Sequence, residues 1–96
     1  MPNFTVRIVL DGAEDGAYNR LHDEMEDAGF DRTVRAANGK AFHLPPGEYS
    51  YTGWGGATDV RDCVWPIIRS MWPGNAGVLV TTSQHCAWYG FDEADE

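Results

Sequence analysis

Near the start of the chain, apolar and polar side chains alternate: Phe4, Val6, Ile8 and Leu10 fall on one side of an extended backbone, with Thr5 and Arg7 on the other. A two-residue period predicts a strand with one buried face. Asp11-Gly12 marks a turn, and the period then lengthens. Tyr18, Leu21, Met25 and Ala28 recur at helical spacing while Asp23, Glu24, Glu26 and Asp27 turn mostly away. This predicts a helix over residues 14–28, stopped by Gly29. Residues 30–36 read as a second strand. Asn38-Gly39 predicts a two-residue hairpin turn with positive φ at both positions, and a third strand returns over residues 40–44. Pro45-Pro46-Gly47 cannot continue a regular ladder, so a bulge or bend is expected before residues 48–52 resume extended structure.

A second helix is predicted over residues 58–72. Thr58-Asp59 supplies the start, Val60, Val64, Ile67, Ile68 and Met71 form the apolar stripe, and Pro73-Gly74 ends it. Pro66 lies inside that pattern, lacks a backbone donor and crowds the preceding turn, so a kink or split is expected there. The β-branched run at 78–82 reads as a strand, 86–91 as a further short extended segment, and the acidic end as a frayed tail. The order β-α-β-β-α-β with an extra C-terminal strand predicts an α+β fold. Its expected form is a ferredoxin-like sandwich with two helices on one face of an antiparallel sheet. Residues 1–91 are expected to form a single domain and 92–96 an acidic tail.

Ninety-six residues suffice for one core and leave no room for a separate catalytic lobe. Apolar residues make up 43% of the chain and aromatics 12%, which excludes a disordered polypeptide. Fifteen acids against seven bases give a formal charge of −8, a field that repels nucleic acid and anionic membranes and favours a basic partner surface. The exception is the hairpin at 30–51, where Arg32, Arg35 and Lys40 outweigh Asp31 and Glu48 by about one charge and His43 stands alongside. Any phosphate contact is expected there, weak and salt-sensitive. The N-terminus lacks the parts of a secretory signal and no apolar run approaches the length of a membrane span, so a cytoplasmic protein with no membrane association is expected. Cys63 and Cys86 are too few for a disulfide scaffold and read as free thiols packed as small hydrophobes.

Several segments carry a family likeness: FTVRIVL at 4–10, LHDEMEDAGF at 21–30, RTV at 32–34 with AANGKAFHLPPGEYSYTG at 36–53, and VLVTTSQHCAWYG at 78–90. Together they resemble the small bacterial family that includes the antitoxin of type V toxin–antitoxin systems. That antitoxin is a ferredoxin-like endoribonuclease similar in fold to the CRISPR adaptation endoribonuclease. The resemblance implies a homodimer that binds or cleaves a toxin messenger RNA. It also places Asp11 where those nucleases hold a carboxylate near the dimer axis, a position at which two copies would take Mg²⁺; no other cofactor is expected. Residues 54–77 depart from the pattern, carrying Trp, Pro and Asp where a basic second helix is expected.

On the RNA reading, the residues to test as catalytic are Asp11, Arg32 and His43. Arg32 would stabilise the developing phosphorane charge while His43 or His22 shuttles the proton. Arg35, Lys40, Tyr49 and Tyr51 would bind RNA, the tyrosines by stacking bases. The alternative is a non-enzymatic acidic inhibitor, of the kind that blocks host-defence or CRISPR complexes. It would dock Asp23, Glu24, Glu26, Asp27 and Trp54 onto a basic, nucleic-acid-handling surface of a partner protein. No zinc spacing, Gly-rich phosphate loop, Ser-His-Asp set or HExxH motif is present.

Overall fold

A computed structural model of the chain describes residues 2–83 and 87–94. The elements run β1 (Asn3–Leu10), α1 (Asp15–Asp27), β2 (Thr33–Arg35), β3 (Ala41–His43), β4 (Glu48–Thr52), α2 (Ala57–Met71) and β5 (Ala76–Ser83). The expected α+β class is what forms. β1 is the middle of a three-stranded antiparallel sheet, flanked by β4 and β5.

The alternation in β1 does what its period dictates. Phe4, Val6, Ile8 and Leu10 are buried, and with Tyr49 they meet Leu21 and Met25 of α1 and Val60, Val64, Ile68 and Met71 of α2 in one core. Both helices therefore cover the same face of the sheet. Each such aliphatic or aromatic side chain contributes about 1.5–3 kcal/mol on burial, enough to set the strand's register against the helices. On the open face Arg7 stands in register between Glu48 and Leu79, and Thr5 between Ser50 and Thr81.

β2 and β3 form a separate two-stranded antiparallel sheet, so the five strands do not make one continuous ladder. The interruption follows from the residues at 45–47. Pro45 and Pro46 have no N–H to give, and Gly47 has φ +86° with its carbonyl accepting the Ile8 N–H at 2.7 Å. A side chain at Gly47 would sit 2.6 Å from the Ile8 carbonyl oxygen, so only glycine allows this approach. Beyond the bulge the hairpin rejoins the larger sheet at a single point, where Asp31 and Ser50 exchange backbone hydrogen bonds of 2.9 and 2.8 Å.

Helix ends follow local chemistry. At the end of α1 the Phe30 N–H bonds the Met25 carbonyl and the Gly29 N–H bonds the Glu26 carbonyl, with Gly29 at φ +92°. This is a Schellman ending, completed by the buried pair Met25 and Phe30. α2 starts one residue before the expected Thr58, and the Asp59 carboxylate accepts the Gly56 N–H at 2.9 Å. Of the kink or split expected at Pro66, the split does not occur: Ala57–Met71 is one helix with the proline inside it. Pro66 and Asp62 are both exposed, so the Asp62 carbonyl that loses its helical donor is left in water rather than in the core.

Three further expectations are corrected. The hairpin turn is not a two-residue turn: the Gly39 N–H bonds the Ala36 carbonyl, the Ala36 N–H bonds the Lys40 carbonyl, and only Gly39 has positive φ. That is the three-residue loop ending in a left-handed glycine, and the Asn38 side chain steadies it by accepting the Lys40 N–H. The acidic tail is not frayed over its described part. The His43 N–H donates to the Asp92 carbonyl and the Ala94 N–H to the Ala41 carbonyl, so residues 92–94 lie along β3. The expected strand over 86–91 falls partly outside the described residues, and 87–91 form no strand.

Candidate functional site

The cationic hairpin does not present one positive surface. The Lys40 Nζ is 3.9 Å from the Glu93 carboxylate, brought there by the tail that pairs with β3. Arg35 folds back on its own turn, Nη1 donating to the Gly39 carbonyl at 2.8 Å. Arg32 is half-buried, and its charge is felt by His22 and Tyr49. His43 is exposed on β3. Arg32 and His43 are neighbours along the backbone ladder, since Thr33 pairs with His43 and the Leu44 N–H bonds the Arg32 carbonyl. Asp11 is exposed where β1 ends, its N–H on the Asn75 carbonyl. Among the described residues no three His, Cys, Asp or Glu side chains gather as a metal site.

Arg32 also bears on His22. Only 5% exposed, His22 hydrogen-bonds the Tyr49 hydroxyl through Nδ1 at 2.6 Å. Burial, and then the Arg32 charge, lowers the His22 pKa from its ordinary 6.5, against the opposing pull of Glu26 and Asp23. Burial likewise raises the Tyr49 pKa above its usual value. Both groups are held neutral, and the buried pair has no open face for a substrate. Tyr49 is therefore core rather than a base-stacking platform. Tyr51 is half-buried, its ring 4.7 Å from Phe30 and 6.2 Å from Phe4. Pairing of positions 22 and 49 has no local signal, although His22 does lie four residues from Tyr18 on the apolar side of α1.

Tyr51 and Phe30 also line a concave feature of the surface. A half-open groove of about 190 Å³ runs between the end of α1 and the start of α2, lined by Ala28, Phe30, Tyr51, Trp54, Asp59 and Cys63, with Val60 and Ile67 also contributing. Trp54 is 79% exposed on the glycine-rich link between β4 and α2. Its neighbours on α2 fall at 59, 60, 63 and 67, the spacing of one helix face. Cys63 is an exposed free thiol, not the packed hydrophobe expected; Cys86 lies outside the described residues. Sequence reasoning singled out Trp54 and missed Phe30, Asp59 and Cys63, which appear together only once the two helix ends meet.

Charge around this groove is negative. Asp23, Glu24, Glu26 and Asp27 are all exposed, and the last turn of α1 holds no basic residue to offset the negative end of its dipole. Glu24 is one turn before Ala28, on the helix face that reaches the groove. The two arginines of α2 are occupied. Arg61 pairs with Asp62 at 2.9 Å, while Arg69 donates to the carbonyls of Trp72 and Gly74 and stacks 5.2 Å from the Trp65 ring centre.

No described helix is long and apolar enough to cross a membrane. Compared with known proteins, the chain matches no family model and no curated sequence.

Proposed function

We propose that this chain is a non-catalytic binding protein that docks on a basic, nucleic-acid-handling surface of a partner protein and blocks it. The observation that carries the reading is Trp54: a large aromatic side chain held 79% exposed at the rim of an aromatic groove, between a carboxylate-rich helix end and a second helix whose arginines are already engaged. Exposed tryptophan is an anchor of protein interfaces, and surrounding carboxylates steer the approach to Lys and Arg while rejecting polyanions. The test is competition. Purified protein is added to basic nucleic-acid-binding proteins carrying a labelled RNA, and release is followed by anisotropy from about 50 to 200 mM salt. Release should weaken as salt rises and on charge reversal at Asp23, Glu24 and Asp27. Absence of release, or indifference to both changes, ends the proposal.

A second reading, RNA binding or cleavage by an antitoxin-like homodimer, draws on the hairpin. If the interruption at 45–47 is taken as a bulge within one strand, the bond between Asp31 and Ser50 puts β2 beside β4. A ferredoxin-like strand order belongs to this reading, with that bond in its support. Arg32 and exposed His43 adjoin there, with Asp11 as the residue to test for Mg²⁺. Incubation with RNA, with and without Mg²⁺, decides this reading, together with the mass of the particle in solution. Cleavage that survives Arg32→Ala and His43→Ala would remove the roles assigned to them.

A further inference from the structure

We infer that the Trp54 groove is the receptor for a single arginine side chain of the docked partner, an assignment that rests on the docking reading above. Size is the first argument. At about 190 Å³ the groove is smaller than the roughly 300–1,000 Å³ of small-molecule and cofactor sites, yet it holds about six waters' worth of space, enough for one long side chain. Chemistry is the second. The walls are the rings of Phe30, Tyr51 and Trp54, surfaces that suit an aliphatic stem and, at Trp54, the face of a planar cation.

Electrostatics selects the sign. Asp59 lines the groove, and its carboxylate accepts the Gly56 N–H through Oδ2, so a second oxygen remains to accept from a cation. The C-terminal end of α1, at Ala28, closes the opposite side with its negative dipole end and the nearby Glu24 and Asp27. A guanidinium satisfies this arrangement better than an ammonium. It is planar, weakly hydrated, stacks on indole and still presents several N–H donors to a carboxylate. The molecule already uses the same pairing in the Arg69 stack on Trp65.

The experiment uses the whole chain and three probes: a short lysine-rich peptide with one central arginine, and twins carrying citrulline or lysine at that position. Affinity is measured by calorimetry, and occupancy of the groove by the rate at which iodoacetamide alkylates Cys63, read by mass spectrometry. The arginine peptide should bind at least about threefold tighter than either twin and slow Cys63 alkylation. That advantage should vanish in Trp54→Ala and in Asp59→Asn, whose amide oxygen still accepts the Gly56 N–H. Equal binding of the three peptides, or no protection of Cys63 while salt-sensitive binding persists, overturns the arginine assignment and leaves the docking reading standing. If no basic peptide binds at low salt, both fall.

Discussion

His22 of α1 and Tyr49 of β4 are joined by a 2.6 Å hydrogen bond inside the core, between positions 27 residues apart in the chain. It is one of two polar ties between the first helix and the sheet among the described residues, the other being the Leu10 N–H donated to the Tyr18 hydroxyl at 3.0 Å, and every described buried side-chain polar atom has a partner. Removing the hydroxyl with Tyr49→Phe leaves the His22 nitrogen buried and unmet. The expected cost is about 1–3 kcal/mol, read from the urea midpoint.

The same pair sets a pH dependence. Because the folded state lowers the His22 pKa from 6.5, the unfolded chain binds a proton that the folded chain refuses as pH drops below that value. Stability is therefore complete above about pH 6.5 and declines on acidification toward the lower folded value, where the loss levels off. Thermal melts between neutral and mildly acidic pH should show this slope, and His22→Gln should flatten it.

Two glycines are expected to differ. Gly29→Ala places a side chain at φ +92° with open space around it and should cost about 1–2 kcal/mol from backbone strain alone. Gly47→Ala meets the same strain at φ +86° and also the Ile8 carbonyl oxygen at 2.6 Å. It should be the more damaging of the two in chemical denaturation, with the larger loss arising where β1 meets the bulge.

Pro66 is a liability that the helix tolerates. Pro66→Ala restores the donor to the Asp62 carbonyl in an exposed part of α2, so it should stabilise. The gain expected is about 2 kcal/mol, the helical penalty of proline less the added freedom of the unfolded chain. An unchanged or lower melting temperature would mean that the helix has adapted to its proline.

The tail contact can be read at one amide. Truncation after Phe91 removes the carbonyl that accepts the His43 N–H and the partner that covers the edge of β3. Hydrogen exchange at His43 should accelerate while Phe4, Val6 and Ile8, inside the three-stranded sheet, remain protected. Replacing Glu93 by Gln should change little, because its 3.9 Å pair with Lys40 is solvent-exposed.

These elements divide by how their information is stored. β1, both helices and the Gly29 stop were readable because each rests on a period or a local cap: alternation at 4–10, a stripe at 60–71, a left-handed glycine. The bulge at 45–47 was readable too, since two prolines in a row cannot serve a ladder. The docking of residues 92–94 was not, for it uses backbone groups that every sequence possesses, and its acidic side chains suggested only solvent. The continuity of α2 through Pro66 depends on which side of the helix faces water, a fact fixed by tertiary packing. At the candidate site, Trp54 was singled out as a docking residue of the alternative reading. The groove itself joins residue 28 to residue 63, and no stretch of sequence holds both.

β5 is an edge strand of the three-stranded sheet and carries AGVLVTTS, eight residues with neither a charge nor a proline to discourage another strand from adding to the side left unpaired among the described residues. What stands against such growth is the mutual repulsion of molecules each bearing eight surplus negative charges at neutral pH. Neutralising the carboxylates with acid, or shielding them with concentrated salt, should accordingly turn a well-dispersed preparation into fibrillar or amorphous precipitate, detectable by light scattering and thioflavin fluorescence.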